Sequence, residues 1–364
     1  MQFFDAGAQQ GFTALMAMIT ALGARGLQRL AVELPHCFLA LGNRFFWGYL
    51  LSFVLLGLYA HRRYYRPTAP RQSLLGVLGF LFPPATYRHP SALIDYQLVL
   101  TSHLLGPASL LGGLLFGSAS IATVAHATQH GLVALFGAPS RAAHWSLASS
   151  AAFALGTTVA RDLVTFLTHV LHHRVPLLWE FHKVHHSAEV LTPVTVFRKH
   201  PVYNAFEHGM VILLIGPLQG AIALAFVGQA TAVTLWGANI VFTLFHLAGA
   251  NLRHSHIWLP FGRRLSHVVI SPAQHQIHHS KAERHQNKNF GEVFALWDWL
   301  AGTLYVAGRA REALEFGVAD GARTEHATLW RIYIQPFVNC LALSRRAARR
   351  PRRYSLPALT VRRR

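Results

Sequence analysis

The chain has 364 residues, of which 52% are hydrophobic and 13% are charged, with a mean hydropathy of +0.30 and a formal net charge of +19. This composition indicates an integral membrane protein. It does not indicate a nucleic-acid binder, because no basic helix-turn-helix or aromatic RNA-binding pattern accompanies the positive charge. The two cysteines, Cys37 and Cys340, lie far apart, which excludes a disulfide framework and a cysteine-ligated zinc or iron–sulfur centre.

Residues 1–140 are predicted to form an N-terminal transmembrane region that carries no chemistry. The first ten residues contain an acid and no Lys or Arg, so we interpret them as a mature N-terminus and not as a signal peptide. Three apolar windows are candidate spans, namely residues 45–60, 74–82 and 98–124. Gly106-Pro107 interrupts the last of them.

Residues 141–305 are predicted to form the catalytic core, in which histidines are interleaved with spans. An uncharged window at 142–160 continues towards Pro176 without a Pro or Gly pair, which predicts one long helix that crosses the membrane and projects from it. Asp162 lies seven residues before His169 and therefore on the same helix face. We expect its carboxylate to orient this imidazole through the second ring nitrogen.

A second uncharged interval, 209–252, is long enough for two spans of roughly 20 residues each. Its candidate break points are Gly216-Pro217 and Gly228-Gln229. Arg and Lys flank the apolar windows and the histidines, so the positive-inside rule predicts that the histidines face the cytoplasm. Residues 306–364 are predicted to be a cytoplasmic basic tail that is attracted to anionic lipid headgroups.

Histidines cluster in the core as an H-x-x-x-H pair, two copies of H-x-x-H-H, and a single His in front of a Ser. The candidate metal ligands are His169, His173, His182, His185, His186, His254, His275, His278 and His279. On a helix, positions i, i+3 and i+4 share a face, so each H-x-x-H-H motif can aim up to three imidazoles at one point. Weaker candidates are His256, His200 and His246.

The number of histidines indicates which metal they bind. Imidazole binds zinc, copper and iron alike. A zinc site uses four ligands or fewer, whereas two octahedral irons can share roughly eight to ten nitrogen ligands and still keep open positions. Nine clustered histidines therefore predict two iron ions.

The order of these motifs resembles the integral-membrane fatty acid hydroxylase and sterol desaturase superfamily. The similarity covers roughly residues 158–305 and includes the residues around the boxes: Asp162, Pro176 to Ser187, Ser271 to Ser280, Asn289-Phe290-Gly291, Trp297-Asp298 and Gly302-Thr303. The chain departs from the family pattern at Val170, where Arg often follows the first His. It also has His256 where Asn commonly follows Ser255, so the ligand there is either His254 or His256. His200-Pro201 resembles a family element downstream of the second box.

The resemblance implies an all-α, polytopic integral membrane protein with a cytoplasm-facing helical cap that holds the histidine boxes and a di-iron site. It also implies an O2-dependent oxidoreductase that hydroxylates or desaturates a C–H bond of a membrane lipid, such as a sterol or a fatty acyl chain. The sequence contains no dinucleotide-binding, haem-attachment or ferredoxin-like motif. Two electrons per turnover are therefore expected from a separate donor, a ferredoxin or a cytochrome-type protein.

Two other functions stay open at this level. Helical His pairs would also suit a bis-His haem membrane protein that transfers electrons, although the adjacent pairs His185-His186 and His278-His279 argue against it. A metal transporter would need polar residues inside its spans, whereas the boxes here lie beside charged segments. The run Trp297-Asp298-Trp299 is interpreted as an interfacial anchor.

Overall fold

The computed structural model describes residues 38–41, 43–65, 73–105, 118–139, 143–144, 146–227, 234–235, 238–318 and 324–349. Several features discussed above lie outside these residues: the N-terminus, Cys37, the break points Gly106-Pro107 and Gly228-Gln229, and the arginines beyond residue 349.

Helices dominate the described residues. In chain order they are α1 (Trp47–Ala60), α2 (Leu74–Leu81), α3 (Pro84–Tyr87), α4 (Pro90–Leu105), α5 (Ser118–Phe136), α6 (Leu147–Arg174), α7 (Pro176–His186), α8 (Pro201–Ala223), α9 (Ile240–Leu247), α10 (Pro272–His278), α11 (Leu296–Ala301) and α12 (Leu329–Arg349). The strands described are only two residues long. Strand β1 (Ala143–His144) pairs in parallel with β2 (Phe226–Val227), and β3 (Thr234–Leu235) pairs antiparallel with β4 (Ala238–Asn239). The prediction of an all-α fold is confirmed.

Helix α6 is the long helix that the sequence predicts before the first box. Its N-terminus is closed by a capping box, in which Ser146 and Ser149 each accept a hydrogen bond from the other's backbone N–H. Its C-terminus is set by Pro176, because a residue in front of proline disfavours the helical conformation, and Val175 is extended (φ −98°, ψ 114°). The same proline then occupies the first turn of α7. The helices of the first two boxes are thus joined by one extended residue.

Helix α8 runs without interruption through Gly216-Pro217, so the break predicted there is wrong. Close packing against α5 explains the two glycines in this helix. A side chain on Gly216 would collide with Val124, and one on Gly220 would collide with the backbone oxygen of Ala125. Small residues four apart commonly allow such close contact between membrane helices. Among the described helices, α8 is the one that is long and apolar enough to cross a membrane.

The regions on either side of the histidine-bearing core pack directly against it. Ile94 of α4, Val184 of α7 and Ile332 of α12 belong to one buried apolar cluster. Beside this cluster the guanidinium of Arg198 forms a buried ion pair with Asp95, with 2.9 Å between nitrogen and oxygen. Within the region predicted to be a basic tail, residues 329–349 form α12, which docks on α7.

Candidate metal centre

Three helices supply the first group of histidines. His169 and His173 lie one turn apart on α6, His182 and His186 lie one turn apart on α7, and His278 comes from α10. One ring nitrogen from each of the five lies within 4.8 Å of the other four. Nε2 of His182 is 3.0 Å from Nε2 of His169 and 3.2 Å from Nε2 of His186. The five imidazoles therefore converge on one point.

The second group contains four histidines. His185 lies on α7 and His275 lies on α10. His279 is the C-cap residue that directly follows α10. His254 lies in the loop that follows the short 3₁₀ turn Ala250–Leu252. The ring nitrogens of all four lie within 4.8 Å of one another. Nε2 of His254 is 3.2 Å from Nε2 of His185 and 3.0 Å from Nε2 of His275.

The two groups adjoin each other, and each H-x-x-H-H motif contributes to both. The rings of His186 and His279, one from each group, are stacked with centroids 4.6 Å apart. In each motif the i and i+4 histidines enter one group and the i+3 histidine enters the other. Each motif thus aims two imidazoles at one group, fewer than the three that the spacing would allow. Positions i+3 and i+4 lie on opposite sides of position i, by about 60° and 40°, so they can face different centres.

Backbone carbonyls fix the orientation of two rings in the first group. Nδ1 of His169 lies 2.7 Å from the carbonyl oxygen of Phe290, and Nδ1 of His278 lies 2.8 Å from that of Lys288. A carbonyl oxygen can only accept, so each neutral ring donates from Nδ1 and keeps a lone pair on Nε2. This tautomer is the one that can bind a metal through Nε2. Among the described residues, Nε2 of His278 is buried and has no hydrogen-bond partner.

Asp162 does not contact His169, so the predicted carboxylate–histidine hydrogen bond is wrong. Its oxygens accept hydrogen bonds from the backbone N–H groups of Val293 and Phe294, at 2.8 and 3.0 Å, and from the indole N–H of Trp297 at 2.9 Å. Asp162 is almost fully buried. It holds the loop that follows Phe290, and its influence on His169 passes through that loop.

Asp298 has a comparable role that the sequence analysis missed. It is buried and accepts hydrogen bonds from the backbone N–H groups of Phe290 and Gly291 and from the hydroxyl of Thr303. The interpretation of Trp297-Asp298-Trp299 as an interfacial anchor is therefore wrong for Asp298. The available signal was an acidic residue between two tryptophans, because a carboxylate that becomes buried requires hydrogen-bond donors.

The histidines contributed by α7, α10 and the loop after α9 are uncharged at neutral pH. Burial lowers the pKa of His182, His185, His186, His254, His275 and His279 well below 6.5, and the neighbouring histidine, lysine and arginine side chains lower it further, because protonation would place like charges side by side. Burial also lowers the pKa of His278 to about 4. Because a metal ion binds the unprotonated ring, these histidines are ready to act as ligands without first losing a proton.

The weaker candidates lie outside both groups. The ring of His256 contacts the carbonyl oxygen of Phe80 at 2.7 Å, and that of His246 contacts the carbonyl oxygen of Phe242 at 2.6 Å. His200 caps α8 and contacts a backbone oxygen of α12. Of the two histidines that flank Ser255, His254 is thus the one that the structure brings to the other candidate ligands.

A cavity of about 60 Å³ lies between the histidine groups and a set of charged side chains. His169, His182, His185, His254 and His275 line one part of it, and the charged residues among the rest of its lining are Arg44, Lys199, Glu207, Arg253 and Glu292. Burial raises the pKa of Glu292, but Arg253 and Arg44 outweigh this effect and hold its pKa below the ordinary value. Arg253 also donates to Nδ1 of His275 at 3.0 Å. The cavity can hold a molecule the size of water or dioxygen.

These features define a helical protein with two adjoining, all-histidine groups that could each hold a metal ion. Residues 154–303 match the family model described as fatty acid hydroxylase. Among curated proteins, the chain is 30% identical over 152 residues to the ornithine lipid hydroxylase OlsE of Rhizobium tropici, a match that covers 42% of this chain and 41% of that protein. It is 33% identical over 149 residues to human cholesterol 25-hydroxylase, covering 40% of this chain and 48% of that protein.

A cholesterol 25-hydroxylase-like protein of Danio rerio is 29% identical over 159 residues, covering 41% of this chain and 48% of that protein. The chain thus spans less than half the length of each of these relatives. No solved structure matches it significantly. Residues 154–303 thus match a fatty acid hydroxylase domain, the family that the histidine motifs resemble.

Proposed function

We propose that the chain is a membrane-bound, O2-dependent di-iron oxidoreductase that inserts oxygen into a C–H bond of a membrane lipid. The observation that carries this proposal is the convergence of nine histidines on two adjoining points without a carboxylate or thiolate in either described group. One group offers five nitrogen donors and the other offers four. A zinc ion that keeps an open position binds fewer protein ligands than either group provides. The donors suit two irons, which prefer six ligands and retain positions for dioxygen or water.

The residues present fit such a metal pair. The rings are neutral, the carbonyls of Phe290 and Lys288 fix two of them in the metal-binding tautomer, and Nε2 of His278 is buried without a partner among the described residues. We propose His169, His173, His182, His186 and His278 for one iron and His185, His254, His275 and His279 for the other. When bound, the irons supply the activation of dioxygen that cleavage of an unactivated C–H bond requires.

The protein itself contributes orientation and a restricted space. Asp162 and Asp298 hold the loop that carries the carbonyl of Phe290, and this loop in turn orients His169. The small cavity admits dioxygen to the histidines but is too small to enclose a lipid. We therefore propose that the substrate reaches the site from the membrane side and presents only its reacting carbon to the cavity.

The relatives favour hydroxylation over desaturation, because the ornithine lipid and cholesterol enzymes are both hydroxylases. Electrons would come from a separate ferredoxin or cytochrome-type donor, since the sequence has no cofactor motif of its own. A bis-His haem would need only two of the rings and would leave the other seven clustered imidazoles without a role.

We further propose a multi-pass topology in which α8, the uncharged first half of α6 and the other apolar windows lie in the membrane and the histidines face the cytoplasm. Three regions would then divide the chain: a membrane region at 1–140, the catalytic core at 141–305 and a cytoplasmic C-terminal part at 306–364. Labelling of Arg174→Cys and Gln286→Cys, two exposed positions beside the histidine boxes, by a membrane-impermeant thiol reagent tests the orientation. Labels on opposite sides of the membrane would contradict it.

The reaction is tested by expressing the full chain and the double variant His278→Ala/His279→Ala in the same host and comparing extracted lipids by mass spectrometry. We expect a lipid whose mass increases by one oxygen atom with the wild-type chain and not with the variant. When the cells are grown under ¹⁸O2, the added oxygen should carry the label. A lipid that gains oxygen equally with the variant, or from water, would contradict the proposal.

A further inference from the structure

Helix α12 presents an exposed apolar stripe along its outer face. Large side chains follow one another at i, i+4, i+7, i+8 and i+11, namely Trp330, Ile334, Phe337, Val338 and Leu341. Trp330 is 71% exposed and Leu341 is 60% exposed. Single exposed apolar residues are ordinary, but a continuous stripe over three turns marks a surface that contacts something apolar.

The opposite face of α12 is fixed to the helix of the second histidine box. Ile332 is fully buried in a cluster with Val184 of α7. The side-chain amide of Asn339 donates to Glu180 of α7 at 2.8 Å and to Glu325 at 3.0 Å. These contacts set the rotation of α12 about its axis, so most of the stripe points away from the protein, and Phe337 lies at its inner edge against Phe181.

The positive charge of α12 indicates which kind of apolar partner covers the exposed stripe. The helix contains no Asp or Glu and four arginines, Arg331, Arg345, Arg346 and Arg349, and the sequence continues with further arginines to its end. Arg345 and Arg346 are exposed at the end of the stripe. A second copy of this chain would bring its own charge of +19 and would be repelled, whereas anionic lipid headgroups would be attracted.

We propose that α12 lies in the plane of an anionic membrane surface, with its apolar stripe among the upper acyl chains and its arginines among the headgroups. An amphipathic helix with a basic polar face binds membranes in this manner. The ring of Phe337, on the stripe, packs against Phe181 with centroids 5.2 Å apart, and Phe181 directly precedes His182. Membrane contact by α12 thus sets the position of the second box relative to the lipid. This inference does not depend on the reaction proposed above.

Spin labels on the full chain test the proposal. Cys37→Ser/Cys340→Ser removes the native thiols, and Val338→Cys places a nitroxide on the stripe. Gln286→Cys, at an exposed position in the loop after the third box, is the matched control. Each protein is reconstituted into phosphatidylcholine vesicles with or without phosphatidylglycerol. Collision rates with lipid-soluble oxygen and with a water-soluble nickel chelate are then measured. Leu341→Cys provides a second stripe position if the Val338 variant does not fold.

In anionic vesicles we expect the stripe label to collide several-fold more with oxygen and several-fold less with the nickel chelate than the Gln286 label does. The protection should weaken in neutral vesicles and in an Arg345→Gln/Arg346→Gln background. Equal nickel accessibility at both positions would overturn the proposal, and equal protection in neutral and anionic vesicles would overturn the role of the arginines. Spin–spin broadening at position 338 that disappears on dilution with unlabelled protein would show that a second copy covers the stripe instead.

Discussion

Nδ1 of His169 lies 2.7 Å from the carbonyl oxygen of Phe290, although 121 residues separate them in the chain. This contact joins the first box to the loop that follows the third box. The loop is itself held by two buried carboxylates, since Asp162 accepts from its later residues and Asp298 accepts from Phe290 and Gly291. The orientation of a candidate ligand therefore depends on two carboxylates that lie outside both histidine groups.

Replacement of Asp162 by Asn tests this arrangement. The amide would present a donor where two backbone N–H groups and an indole N–H require acceptors, so we expect the loop to move and the carbonyl of Phe290 to release His169. Loss of a group behind a metal ligand typically lowers metal affinity or activity 10- to 100-fold. Iron affinity of the folded, membrane-extracted protein is the measurement, with exposed Glu283→Gln as the control. An unchanged affinity in the Asp162 variant would show that the loop does not position His169.

Replacement of Gly291 by Ala perturbs the same loop by steric means. A Cβ at this position would collide with the backbone oxygen of Phe294 and would lie 3.1 Å from Oδ2 of Asp298. Such overpacking typically costs about 1–3 kcal/mol, so we expect a lower thermal midpoint together with weaker iron binding. Gly308→Ala is the matched control, because the nearest atom to a Cβ there is 4.0 Å away. Equal midpoints for the two variants would contradict the tight packing around Gly291.

The buried histidines also predict how the metal-free protein responds to pH. Burial lowers the pKa of His278 to about 4 and that of its neighbours well below 6.5, so the unfolded chain binds more protons than the folded chain at acidic pH. The free energy of unfolding should therefore be highest above pH 6.5 and should fall as the pH decreases towards 4. Thermal unfolding of chelator-treated protein in detergent between these values is the measurement. Bound iron should reduce this dependence, because it keeps the rings unprotonated. A midpoint that rises on acidification would contradict the neutral state of the rings.

The sequence predicted much of the site because histidine spacing on helices is a local property. All nine candidate ligands come together in the two groups, and α6 ends beside Pro176 as the sequence indicated. The division of each H-x-x-H-H motif between two groups could not be predicted, because it depends on how α7 and α10 face each other. The partner of Asp162 was predicted wrongly for the same reason. Helical periodicity placed it near His169, but backbone groups of a distant loop reach it first.

The sequence predicted the membrane region and the C-terminal region less well than it predicted the histidine site. Gly216-Pro217 is a common breaking pair, but contacts between α8 and α5 keep the helix continuous. The arginines of residues 329–349 suggested a tail, yet the apolar residues among them follow helical spacing on two faces. One face packs on α7, while the other is exposed. That second face becomes recognisable only when the burial of each side chain is known.

Iron content per folded chain tests the central claim most directly, because the two histidine groups should lose metal independently. We expect about two irons in the wild-type protein and about one in each of His173→Ala and His254→Ala, which remove a ligand from different groups. His256→Ala, two residues from His254 but outside both groups, should retain about two. A single tightly bound zinc in the wild-type protein, or loss of iron from the His256 variant with full retention in the His254 variant, would contradict the account.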